Sequence, residues 1–353
     1  MRFSPPFATM QCLAFGWAMA CSFSKDIRLG TSPPASLGGQ EAVGGQSETG
    51  GSPTGGEGGA SDDESPLGGG SPSDGGSSSD GGMGGAGSVV VAVVSSIRPL
   101  RELNTEDKDD NPTLTSDELM ICFTSKRPTT SGGTDIWCAE RAALGEPFGE
   151  ALEQTSLNSS GFESSPSLGQ DGLSLWFSSD ESEHLDIYVA ARSDRAAPWE
   201  MPERIDELNS DADNIPRPLA HDGLIMPLAS RRDSPDYWTY LASRPSPTEP
   251  FAEPRLIDEL AKEGRSFVDA FLLEDGLTMF FTLVEEDDDP DLYLATRPGL
   301  DAPFGPAHPV QGVNTDAEER DAFVSPDGKR LYFSSSREGE LDLFVADLDL
   351  QSP

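Results

Sequence analysis

From Asp117 onward an aspartate recurs at Asp117, Asp171, Asp222, Asp275 and Asp327, with spacings of 54, 51, 53 and 52 residues. Four of the five precede a glycine, and the first precedes Glu118. A period near fifty, filled with strand-like segments, is the signature of propeller blades, because one such unit cannot bury both of its faces alone. Each aspartate stands between apolar runs. Asp-Gly in that setting predicts a hairpin turn with both central residues at positive φ.

The rest of the period repeats in register. After each turn comes a strand rich in β-branched and aromatic residues: LMICFTS from Leu119, LSLWFSS from Leu173, LTMFFTL from Leu277 and RLYFSSS from Arg330. A polar loop leads to another: TDIWCAE from Thr134, LDIYVAA from Leu185, PDLYLAT from Pro290 and LDLFVAD from Leu341. The third copy is poorer, with Asp236 to Leu241 in that place and Pro227 inside its second strand, where a ladder donor is lost. A fourth strand is expected after each Pro-aromatic pair, Pro147-Phe148, Pro198-Trp199, Pro250-Phe251 and Pro303-Phe304. Asn158, Asn209 and Asn314 follow, each thirteen residues before a turn aspartate, with Ala261 in the fourth copy.

The last copy stops after its third strand. Asn104 also precedes Asp117 by thirteen residues, so VVSSIRPLREL from Val93 fits as a detached outer strand for that copy. The expectation is an all-β, five-bladed β-propeller over residues 89–353, with four-stranded antiparallel blades closed by an N-terminal strand. Closure hides sheet edges that would template aggregation. An open β-solenoid is the competing architecture, and the three-plus-one split at the ends argues against it.

The stretch SPDGKRLYFSSSREGELDLFVAD from Ser325 closely resembles the TolB-like, WD-repeat-like propeller repeat of bacterial envelope proteins, and the other copies resemble it more distantly. The resemblance covers about Asn104 to Asp347. It implies a propeller and an envelope setting; such propellers serve many purposes, so it does not imply an activity.

The first residues, MRFSPPFATMQCLAFGWAMACS, have the layout of a secretory signal peptide over 1–20. The apolar run is shorter than the ~20 residues of a membrane span. Ala18-Met19-Ala20 is a small-x-small cleavage signal, and Cys21 behind it matches a lipoprotein acceptor. Lipidation of Cys21, plain secretion and no export are the alternatives. Residues 21–88 are rich in Gly, Ser, Pro and Asp and carry few large apolar side chains, so a disordered tether is expected there. Lipidation would give the tether an outer-membrane or periplasmic anchor and let a folded head stand clear of it.

The net charge of −38, from 24 basic and 62 acidic side chains, repels phosphate backbones. Nucleic acid is excluded as the main partner, and a membrane is expected only through the lipid on Cys21. No Cys-x-x-Cys pair occurs, and His184, His221 and His308 are scattered, so a Cys/His zinc site is not expected. There is no Gly-x-Ser-x-Gly elbow and no phosphate-cradling Gly loop that opens a helix. Cys122 and Cys138 fall on neighbouring strands of blade one, where a disulfide is feasible in an oxidising compartment.

The candidate site is a set of acids near the starts of the innermost strands: Asp109, Glu163, Asp213, Asp269, Glu319 and Asp321. Equivalent positions in successive blades should converge at a channel mouth. Converging carboxylates can hold Ca²⁺, or act as acid and nucleophile on a glycoside when their pKa values are split. The alternative is that they cap loop amides and tie blades together. Lys126-Arg127, Arg231-Arg232 and Arg337 read either as an anion clamp or as partners for loop acids. The run Glu285 to Asp291 reads as a solvated loop. The expected function is a non-catalytic binding or scaffold module that presents loops to a protein or glycan of the cell envelope. A glycan-active enzyme and a structural spacer are the rivals, and no cofactor beyond Ca²⁺ is foreseen.

Overall fold

The computed structural model describes residues 90–128, 133–285 and 288–351. The signal-like leader, the tether, Cys21, and Glu286 and Asp287 of the acidic run lie outside the described residues.

Five sheets of four antiparallel strands make a five-bladed propeller. The innermost strands are Asp109–Leu114, Glu163–Leu168, Asn214–Pro216, Arg265–Leu272 and Glu319–Val324. The inner strand of blade five lies against that of blade one, so the ring closes. Blade five is completed by Val91–Pro99, which pairs antiparallel with Asp342–Gln351 from Val91 opposite Gln351 to Pro99 opposite Phe344. The detached strand expected from the sequence is therefore present and starts at Val91. In the other blades the outer strand is only two residues long: Leu152–Glu153, Glu203–Arg204, Arg255–Leu256 and His308–Pro309.

Apolar side chains on both faces of the second and third strands are buried between blades. Met120, Ile136, Leu168, Phe177 and Trp199 fill the space between blades one and two. Ile187, Met226, Tyr240 and Phe251 fill the next, and Phe267, Met279, Phe281 and Phe304 the one after. A larger cluster joins blades four, five and one through Phe280, Phe323, Phe333, Phe344 and Phe123. Burying one such side chain stabilises by about 1.5–3 kcal/mol.

The turns depart from the expected geometry. Gly172, Gly276 and Gly328 have φ of 76°, 70° and 68°, and Glu118 has 55°, but the aspartates before them are not left-handed. Each loop closes with the N–H of the left-handed residue donating to the carbonyl three residues back, as Gly172 does to Gly169 at 2.8 Å. The aspartate carboxylate instead accepts the N–H two residues on, as Asp171 does from Leu173 at 2.8 Å. This is the longer hairpin loop with one left-handed residue. Only blade three has the expected paired positive φ, at Asp222 and Gly223, with His221 left-handed before them.

Two recurrent clamps hold the blades. The repeat asparagines pair with both backbone groups of a third-strand residue: Asn104 with Leu343, Asn158 with Ile136, Asn209 with Ile187 and Asn314 with Leu292, at 2.7–3.1 Å. The arginines Arg141, Arg192, Arg244 and Arg297 each donate to a turn carbonyl at 2.8 Å. Each also covers the aromatic ring of the Pro-aromatic pair, at 4.1–4.7 Å from the ring centre.

Candidate functional site

The channel has two faces. Inner strands begin at one, the starting face, and end at the other, the turn face, in the Asp turns. The expected acids divide between the starting face and the channel interior.

Asp109, Glu163 and Glu319 are the first residues of their strands and are fully buried. Asp109 accepts the Thr105 N–H and hydroxyl at 2.7 and 2.8 Å and the Arg127 guanidinium at 2.6 Å. Glu319 accepts the Thr315 N–H and hydroxyl, the Ser335 hydroxyl and Arg337 at 2.7–3.0 Å. Glu163 accepts from Ser159 and Ser179 at 2.7–2.8 Å. Each carboxylate is thus spent on its own blade's loop and second strand. Burial raises the Glu163 pKa, while its hydrogen bonds from Ser159 and Ser179 oppose the rise. These three acids do not converge. Arg127 and Arg337 are the partners of Asp109 and Glu319, as the loop-acid reading expected.

Blade three corrects the expected register. Asn214, not Asp213, holds the equivalent position, and accepts Ser210, Ser230 and Arg232 at 2.9–3.0 Å. Asp213 sits one residue earlier and accepts the Tyr237 hydroxyl at 2.7 Å, with Arg231 at 3.7 Å.

Asp269 and Asp321 do come together, but inside the channel. Four inner strands carry a bulge at which Asn111, Ser165, Asp269 and Asp321 take φ of 57°, 52°, 55° and 58°. Asp and Asn tolerate that region better than most residues, and the extra residue re-aims the side chain. Blade three has Pro216 there and supplies Arg217 next to it. Arg217 donates to Asn111 Oδ1 at 2.8 Å and Asp321 Oδ1 at 3.2 Å, and forms an ion pair with Asp269. Ser334 and the Asn111 N–H complete Asp321, at 2.9 and 3.3 Å. All five residues are under a tenth exposed. One arginine of blade three therefore ties blades one, four and five across the axis. Burial raises the Asp321 pKa, and Arg217 pulls it back. Among the described residues, no group of three or more His, Cys, Asp or Glu is arranged to hold a metal ion.

Sequence reasoning missed Arg217. The available signal was an arginine in an innermost strand where the other copies carry Pro112, Pro166, Ala270 and Ala322. Glu118 was also missed. It replaces the turn glycine, is buried, and accepts both Arg330 nitrogens at 2.8 and 2.5 Å and the Tyr332 hydroxyl at 2.8 Å. Its position beside a turn aspartate had marked it only as an irregular copy.

Third-strand acids face the inner-strand acids of the next blade on the starting face. Burial and Glu319 raise Asp291 to about 6, with Asp288 and Asp289 adding. Burial and Asp109 raise Asp342 to about 6.

At the turn face all five blades line a cavity of about 330 Å³. Phe271 and Phe323, with ring centres 4.9 Å apart, contribute to its lining, as do Leu114, Leu168 and Leu219. Gln170, Glu274 and Asp275 supply polar groups. In blade one, Cys122 and Cys138 are opposite each other in register and form a disulfide.

No family model matches the chain, and no curated protein matches it. Solved structures similar to it include TolB from Acinetobacter baumannii, at 15% identity and a TM-score of 0.42. That likeness covers 74% of this chain, which spans 64% of the A. baumannii protein. An endo-arabinase from Bacteroides thetaiotaomicron is similar at 11% identity and 0.49, covering 72% of this chain and 97% of that one. A thermostable family-43 glycoside hydrolase is similar at 10% and 0.47, covering 70% and 91%. No argument about activity follows from likenesses this distant.

Proposed function

We propose that this propeller is a non-catalytic binding module, carried on a tether from a lipid on Cys21 and engaging a cell-envelope partner at its turn face. The observation that carries this reading is the axial cluster. Hydrolysis of a glycoside needs two carboxylates facing a cleft, one of them free to give up a proton. Asp269 and Asp321 are instead buried and share Arg217, while Asp109, Glu163 and Glu319 are engaged within their own blades. The disulfide between Cys122 and Cys138 fits an oxidising compartment and so supports export.

Two measurements test the reading. The full chain, incubated with arabinan, xylan and oligogalacturonate, is expected to release no product on chromatography; turnover that Asp321→Asn abolishes would sink it in favour of a glycan-active enzyme. For the anchor, Cys21→Ala is expected to move the protein from the membrane pellet to the soluble fraction. A pellet unchanged by that substitution removes the lipid from the proposal.

A further inference from the structure

Glu274 of blade four reaches across the turn face. Its carboxylate accepts the Gln170 side-chain amide at 2.6 Å and the Asp222 N–H at 2.5 Å, so it touches blades two and three. Both Gln170 and Glu274 line the apolar cavity. The surrounding rim is acidic, because Asp117, Asp171, Asp222, Asp275 and Asp327 are all exposed there. Neutralisation is uneven. Asp117 pairs with Arg195 at 2.7 Å and Asp327 with Arg330 at 3.1 Å. Among the described residues, Asp171, Asp222, Glu274 and Asp275 make no ion pair. The uncompensated negative charge therefore gathers where Glu274 and Asp275 line the cavity.

We infer that this mouth takes a cationic segment of a partner protein: an apolar side chain enters the cavity while an adjacent Lys or Arg displaces Gln170 from Glu274. The inference rests on the binding-module reading. The exchange replaces a neutral amide by a cation on the same carboxylate, so a bond already assisted by the carboxylate's charge gains a full ion pair. The volume is at the lower end for ligand sites, enough for one anchoring side chain rather than a large cofactor. A polypeptide fits better than a lone amine, because four unpaired carboxylates are spread along the rim and several cations on one chain can meet them. The chain's net charge of −38 also draws such a segment in and speeds its encounter.

The test uses the full chain and the acetylated, amidated pentapeptide Gly-Lys-Leu-Lys-Gly, titrated calorimetrically. It is expected to bind about tenfold tighter than Gly-Glu-Leu-Glu-Gly or Gly-Lys-Ser-Lys-Gly, and to weaken as salt is raised. Glu274→Gln, at an exposed position, should lower the affinity about tenfold; Glu249→Gln, on an outer loop of blade three, should leave it unchanged. Equal affinity for the Lys and Glu peptides, indifference to Glu274→Gln, or no binding of any of the three overturns the inference. Charge-blind binding of both Leu peptides would overturn the cationic class yet leave a binding module standing, whereas the failure of the module itself is read separately, as glycan turnover.

Discussion

Blade five and blade three are the extremes of one repeat. Blade five has a six-residue inner strand, a ten-residue third strand and a nine-residue outer strand drawn from the other end of the chain. Blade three has an inner strand of three residues that ends on Pro216, with Pro218 just beyond it, and a proline within its second strand. At matching places blade five carries Glu319 on Arg337, and blade three carries Asn214 on Arg232. Blade five gives the axis an acceptor, Asp321, and blade three gives it the donor, Arg217. The most regular copy supplies scaffold. The least regular supplies the group that fills the channel, since a bulge with its own acid cannot also place an arginine there.

The contrast can be broken by substitution. The largest effect is expected in the regular blade: Phe333→Ala empties a fully buried site stacked on Phe344 and should cost on the order of 4 kcal/mol in denaturant unfolding. A loss below about 1 kcal/mol would mean that blade five is not the packing anchor described. Next, Arg217→Met strands two buried carboxylates and should cost about 3 kcal/mol. Adding Asp269→Asn and Asp321→Asn should return much of it; if the triple variant is weaker still, the cluster is not electrostatic in origin.

Smaller effects sharpen the contrast. Asn104→Ala removes both bonds to Leu343 of blade five and should cost about 2 kcal/mol. The clamp over blade three is absent because Ala261 stands in its place, so Ala261→Asn should add roughly 1 kcal/mol. No gain there would show that the shorter blade cannot seat the amide. The smallest effect is one of pH. Asp342, raised to about 6, has Trp238 as its counterpart in blade three. A carboxyl with a folded-state pKa above its unfolded value destabilises when ionised, so its penalty is full at pH 7, shrinks as pH falls below about 6 and is gone only below the unfolded value of about 4. Asp342→Asn should therefore raise the Tm at pH 7.5, raise it by less at pH 5, and leave it nearly unchanged at about pH 3.5. The reverse order would contradict the unfavourable contact with Asp109.

Much of the ring was readable in the linear chain. The turn aspartates, the Pro-aromatic pairs and the asparagines keep one register, and register is what equivalent blades share. The segment at Val94 could be assigned to blade five because only its spacing to Asn104 had to be read. The site was less legible, for a specific reason. Spacing shows that Asp109, Glu163 and Glu319 are equivalent, not that their side chains turn toward Thr105, Ser159 and Thr315 and away from the axis. A bulge decides which acids reach the channel, and one inserted residue reverses the alternation that a pattern relies on. Arg217 was hidden because it breaks the pattern in the copy where the pattern was already weakest.

The partnership of Val91 with Gln351 also governs how the molecule is born. Translation delivers the first of these strands some 260 residues before its mate, and no local contact substitutes for the wait. During that interval an apolar ribbon stands with its hydrogen-bonding groups uncommitted, a template for neighbours on the same message. Four blades can assemble as the polypeptide emerges, but the circle is sealed only once Asp342–Gln351 has been made, so any slowing of synthesis before that point prolongs the sticky intermediate rather than the finished toroid.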